Sequence, residues 1–322
     1  MFIRFLKNWT LPVSMTTGAL LYLVFSKIPA LDGFSVKADA VITAVFPFVM
    51  MTILFATFCK VDYKRLQVSR WHVMLFLCQM LLIVFFALLS LLPPLTSNSV
   101  IIRQALMVCI VAPCAAAAPV VTGKLGGNVE SMTSYTLLSN IVSACIIPIV
   151  FTLIPNESIA ENNGWVLFLH LMRSTVLILL LPMIAAWIVK HYLPRIHRAV
   201  TSVRDLPFYL WALSLSIVSG LTVKHILHAH ASATLLAVLA AGSLFVCLLQ
   251  FFLGRKLGQR HGTKLEAGQG FGQKNTAFAI WLAMTHLTPV SSVAPGCYIL
   301  WQNIINSLEI SAHRKKEQAE NK

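Results

Sequence analysis

Lys274 is the residue in this sequence with the strongest claim to chemistry. It stands in the run Gln273-Lys274-Asn275-Thr276, about ten residues into an apolar stretch that resumes as AFAIWLAM. An ionisable group at the centre of a membrane segment costs about 2.5–3.5 kcal/mol on insertion-based scales, so by default it marks a pathway or a binding site. An ammonium flanked by amides and a hydroxyl can hold an anion. The bland reading is a lysine held by the loose carbonyls of an interrupted helix. Arg173, about ten residues into another apolar stretch, is the second such group, with an inter-helix lock as its bland reading.

Acidic residues are informative by their scarcity. Of 11 carboxylates, only Glu130, Glu266 and Glu309 approach membrane depth, each near the end of a stretch. A buried sodium or proton site usually draws on a carboxylate, and here the depth offers lysine and amides, so the cargo is expected to be anionic. No nucleophile-base pair or metal cluster lies at depth, which argues against an enzyme. His225, His228 and His230 have metal-like spacing but belong to a polar turn without cysteines or acids. The run GQGFG at 268–272 lacks the spacing of a phosphate loop. The 7 cysteines are odd in number and sit mostly in apolar stretches, so neither disulfides nor a metal site is implied.

The elements that must carry these residues are membrane helices. The chain has 322 residues, 57% hydrophobic and 11% charged, against roughly 25% charged in soluble domains. Ten apolar stretches are expected near 9–29, 39–59, 71–93, 101–123, 129–154, 164–189, 206–226, 231–253, 265–287 and 291–312. The first reads as a retained helix, not a secretory signal. The formal net charge of +14 would suggest nucleic acid in a soluble protein. Here 19 of the 25 Lys and Arg fall in alternate connections, the positive-inside pattern, so no nucleic-acid partner is expected. Most tryptophans, Trp165 and Trp187 among them, fall toward the ends of stretches, as an interfacial belt does.

Two groups of five stretches, residues 1–155 and 160–322, are the arithmetic of an inverted repeat. The fourth stretch of each group is interrupted: Pro113, Pro119, Gly123, Gly126 and Gly127 in one, Gly268, Gly270 and Gly272 in the other. Matched interruptions point to a substrate site, because a broken helix frees backbone groups that a ligand can satisfy. The expected fold is an all-α membrane protein of about ten transmembrane helices, a five-plus-five inverted repeat with spans 4 and 9 broken.

The run of 40 residues from Gly270 to Glu309, with its polar break, Pro-containing turn and Trp-Gln-Asn before the last helix, resembles the bile acid:sodium symporter family. Gln79 and the run from Pro113 through Gly126-Gly127-Asn128 into SMTSYT support the resemblance. It implies a core domain of spans 3–5 and 8–10, in which the broken spans 4 and 9 cross each other, a panel domain of spans 1, 2, 6 and 7, and cargo bound between them, facing the crossing. Carried over residue by residue, the family's sodium ligands fall on Gly270, Lys274, Ala118, Pro119 and Met132, while Thr136 and Gln79 are kept. Sodium thus remains possible, but its usual ligands are largely missing.

The reading is a secondary transporter of a small or amphipathic organic anion, with coupling by proton or by Lys274 itself. The site would comprise Lys274, Asn275, Thr276, Gln273, Gln79, Thr122, Pro119 and Thr136, with Arg173 as a counter-charge from the panel side. No cofactor or metal is expected, and the partners are the bilayer and the anion. The alternative is a passive anion channel or membrane-embedded sensor. The expected location is a bacterial inner membrane with both termini cytoplasmic. A fluorescent-protein fusion to Lys322 should therefore fluoresce, while an alkaline-phosphatase fusion there should be inactive; the reverse result would invert the topology.

Overall fold

The computed structural model describes residues 10–28, 32–62, 66–93, 96–153, 164–203, 206–228 and 231–320. The elements are α1 (Thr10–Lys27), α2 (Asp32–Cys59), α3 (Arg70–Leu91), α4 (Ser97–Val111), α5 (Ala118–Lys124), α6 (Val129–Leu153) and α7 (Gly164–Leu179). They continue as α8 (Leu181–Tyr192), α9 (Pro194–Ser202), α10 (Leu206–His228), α11 (Ala233–Gln259), α12 (Lys264–Gly272), α13 (Thr276–His286) and α14 (Val293–Glu320), with a 3-10 turn at Pro289–Ser292. Among the described residues no strand forms; an isolated antiparallel bridge joins Cys114 to Lys274. Arg70–Leu91, Val129–Leu153, Gly164–Tyr192, Leu206–His228 and Ala233–Gln259 are long and apolar enough to cross a membrane.

The helices follow the expected stretches in order, with local differences that have clear causes. The stretch expected at 164–189 turns at Leu180, just before Pro182, which divides α7 from α8. Proline removes a donor and crowds the preceding turn. The first interruption lies at 112–117: Ala112, pushed by Pro113 into an extended conformation (φ −54°, ψ 138°), ends α4. Pro119 does not break anything. It occupies the first turn of α5, where its missing N–H costs nothing.

The second interruption also differs from the expectation, because Gly268, Gly270 and Gly272 all lie inside α12 and the chain opens only at Gln273, which is extended (φ −90°, ψ 99°). The glycines serve close packing. A Cβ on Gly272 would overlap the Phe251 ring, and a Cβ on Gly254 of α11 would overlap the Ala267 carbonyl of α12. The α11–α12 hairpin is therefore held at a separation that only hydrogen side chains permit. Gly18 of α1 is used in the same way against the Ser216 carbonyl of α10.

The hairpin contact gives a stability prediction. Gly254→Val should lower the melting temperature of the detergent-solubilised chain, at a cost of about 1–3 kcal/mol for overpacking. Ala237→Val, at an exposed position of the same helix, should leave it unchanged. Equal melting temperatures for both variants would remove the packing role.

Candidate functional site

The two interruptions meet. The Ala115 N–H donates to the Gln273 carbonyl at 2.9 Å and the Asn275 N–H donates to the Pro113 carbonyl at 2.8 Å, so the openings pair through the single antiparallel bridge. Each opening leaves helix-terminal carbonyls that must find donors in hydrocarbon. Side chains from neighbouring helices supply them. At the end of α4, Gln250 Nε2 donates to the Cys109 carbonyl (3.4 Å), Gln79 Nε2 to Ile110 (3.2 Å) and Ser143 Oγ to Val111 (3.3 Å). At the end of α12, the Tyr298 hydroxyl donates to the Gly272 carbonyl at 2.8 Å.

Gln302 of α14 treats Lys274 as a neighbouring strand would. Its Oε1 accepts from the Lys274 N–H at 2.9 Å, and its Nε2 donates to the Lys274 carbonyl at 3.2 Å. The same Nε2 lies 3.4 Å from Thr276 Oγ1, the hydroxyl accepting. Across the bridge, the Cys114 N–H donates to Ser139 Oγ at 2.9 Å.

The Lys274 side chain has no such arrangement. It is 1% exposed, and its ammonium has no hydrogen-bond partner. It lies 5.2 Å from the centre of the Phe271 ring, within electrostatic reach of Cys78, Cys109 and Cys114. Gln79 makes no hydrogen bond to this ammonium: its Nε2 donates to the Ile110 carbonyl, and its Oε1 is left buried without a partner.

A cavity of about 40 Å³ borders the crossing. Met50, Ile53 and Leu54 of α2 with Trp211, Ser214 and Leu215 of α10 form one wall; residues 115–117, 274–277, Ile299 and Gln302 form the other. That volume holds a few waters, whereas sites for drug-sized ligands run to about 300 Å³ or more.

The residues expected from sequence distribute as follows. Lys274, Asn275 and Thr276 line the cavity, and Asn275 also caps α13 through Oδ1 accepting from the Phe278 N–H at 3.2 Å. Gln273 is fully buried with both amide atoms unpartnered. Thr136, on α6, donates to the Met132 carbonyl at 2.9 Å and lies 3.6 Å from Cys114 Sγ. Thr122, buried with an unpartnered hydroxyl, lies in α5 beyond the opening, and Pro119 contributes only its helix-starting geometry. Arg173 is not part of the cavity; it is exposed on α7. That corrects its expected place as counter-charge. The buried positions of α7, Leu167, Leu171, Thr175 and Ile178, turn toward α6, and Arg173 falls on the opposite side.

Sequence reading missed Cys114, Ser139, Gln250 and Gln302. An uncharged amide inside an apolar helix was the available signal for the two glutamines, since such a group needs a partner at depth.

An all-helical chain with five helices long and apolar enough to cross a membrane, and two interruptions that meet, defines a polytopic membrane protein, and comparison with known proteins agrees. The profile of the Sodium Bile acid symporter family matches residues 47–229. No curated protein matches the chain. The chain belongs to the sodium bile acid symporter family, a family of transporters, and is an integral multi-pass membrane protein. The matched segment contains the first interruption; Lys274 lies beyond it.

Gln302 gives the prediction of this section. Gln302→Leu leaves the Lys274 N–H without a partner, at a cost of about 1–3 kcal/mol, and should lower the melting temperature in detergent. An unchanged melting temperature would mean that the crossing holds without α14.

Proposed function

We propose that this chain is a secondary transporter that moves a small or amphipathic organic anion by alternating exposure of the crossing, without sodium, and with the Lys274 ammonium as its fixed cation. The observation that carries the proposal is the Lys274 side chain: a cation 1% exposed, without a hydrogen-bond partner, beside a small cavity between two groups of helices. An uncompensated buried charge persists where another component of the working cycle satisfies it. An anionic headgroup does so, and the positive end of α13, whose first residue Thr276 borders the cavity, adds to the attraction. The organic-anion class follows the family's printed description, which names bile acid.

Independence from sodium is supported by what fills the sodium-ligand positions. Ala118 and Met132 are fully buried in one apolar cluster with Trp71, Leu75, Tyr135 and Phe271. A side chain added at Gly270 would meet the Tyr135 ring at 2.9 Å. Hydrocarbon and aromatic surface thus occupies the space that oxygen ligands would need, and these residues do not fit a sodium ion.

The architecture that serves this cycle is the inverted repeat of residues 1–155 and 160–322, with a core of spans 3–5 and 8–10 moving against a panel of spans 1, 2, 6 and 7. The cavity supports it, since one wall comes from α2 and α10 and the other from the crossing and α14. We place the protein in a bacterial inner membrane with both termini in the cytoplasm, on the distribution of basic residues.

The test is uptake of a labelled bile salt or short carboxylate into proteoliposomes. Replacing sodium by potassium should change the rate less than about twofold, and Lys274→Met should lower it at least tenfold, the consequence of losing one charge-assisted contact. Uptake that collapses in potassium would overturn the sodium-independent reading. A Lys274→Met variant that carries cargo like the parent would remove Lys274 from the site, and downhill flux without accumulation would favour a channel.

A further inference from the structure

We infer that Arg173 and His170 form a lipid-facing site for the phosphate of an anionic phospholipid, in the leaflet on the Trp165 side of the membrane. Arg173 is exposed, and its companions on the same face of the α7–α8 stretch are the exposed apolar residues Val166, Leu169, Leu177, Leu181 and Ile184. A face of that composition looks at hydrocarbon, not at water. Trp165 and Trp187 stand 22 positions apart, about 33 Å along a helix, the thickness of a bilayer core at about 30 Å. Arg173 then lies about 12 Å inside the Trp165 boundary. It makes no hydrogen bond or ion pair among the described residues, so its guanidinium is presented to the lipid with no counter-charge.

A second observation points the same way. His170, one turn nearer the boundary on the same face, packs edge-on against His286 at 5.6 Å between ring centres. His286 is 4% exposed, and its Nε2 is buried without a partner. The exposed His170 ring, three residues from Arg173 on the same face, thus adds an imidazole beside the guanidinium's own position on the helix, with His286 packed behind it. The occupant must bring negative charge from within the bilayer. A second copy apposed along this face brings no opposite charge to that depth, since no carboxylate falls between Trp165 and Trp187. A phospholipid phosphate can, drawn inward as arginine draws headgroups and thins the bilayer around itself.

The test is a thermal-shift titration of the full chain in detergent with phosphatidylglycerol, phosphatidylcholine, laurate and inorganic phosphate. Phosphatidylglycerol should stabilise the parent in preference to phosphatidylcholine. Arg173→Gln should weaken that apparent affinity about tenfold, as for one charge-assisted hydrogen bond. Lys274→Met should keep the preference, which separates this site from the transport site. Arg173→Lys retains the charge and should keep the preference in weaker form, so it reads the site even where Arg173→Gln fails to fold. Equal stabilisation by both phospholipids would overturn the proposal, as would an unaltered preference in Arg173→Gln or its complete loss in Arg173→Lys. Stabilisation by laurate alone would assign the face to a single-chain carboxylate, and stabilisation by inorganic phosphate alone would make it an aqueous anion site; either overturns the assignment.

Discussion

Two backbone hydrogen bonds, Ala115 to Gln273 and Asn275 to Pro113, close the crossing on which the rest of the interior is arranged. Opening a helix inside a membrane exposes N–H and C=O groups, and each costs several kcal/mol if left alone. Pairing the two openings satisfies only the groups that face each other. The carbonyls at the ends of α4 and α12 still need donors, and they recruit Gln79, Ser143, Gln250 and Tyr298 from α3, α6, α11 and α14. Amides and hydroxyls that look misplaced in apolar helices are thereby accounted for, and six helices are tied to one point.

Lys274 divides its roles between main chain and side chain. Its backbone is held by the bridge to Cys114 and by both ends of the Gln302 amide. Its ammonium, by contrast, has no hydrogen bond and an aromatic ring for company. A fixed backbone carrying an unsatisfied charge is a costly arrangement that only a well-determined surrounding structure can sustain. The apolar packing of Ala118, Met132, Tyr135 and Phe271 provides that surrounding.

The two intramembrane cations have opposite surroundings because of helix phase. Arg173 lies two residues past Leu171, which is fully buried against α6, and two residues turn a helix by about 200°. That rotation carries the guanidinium to the lipid face, whereas Lys274 sits in an opening that packing encloses from every side. Depth in the sequence is the same for both; direction is not.

Much of this was legible without coordinates. Apolar stretch lengths and the paired interruptions point to a helical membrane protein and single out Lys274 as the cation beside the second opening, because hydrocarbon disfavours unsatisfied backbone and charge. Asn275 as a helix start and Thr276 beside it also follow from local rules. The sequence could not say that Gly268, Gly270 and Gly272 serve the α11–α12 contact instead of the opening, since glycine permits both and only the approach of Phe251 and Ala267 decides. Nor could it assign Gln302 to the Lys274 backbone or turn Arg173 away from the site: those depend on which faces of separate helices meet, a long-range outcome of packing that no local pattern of residues contains.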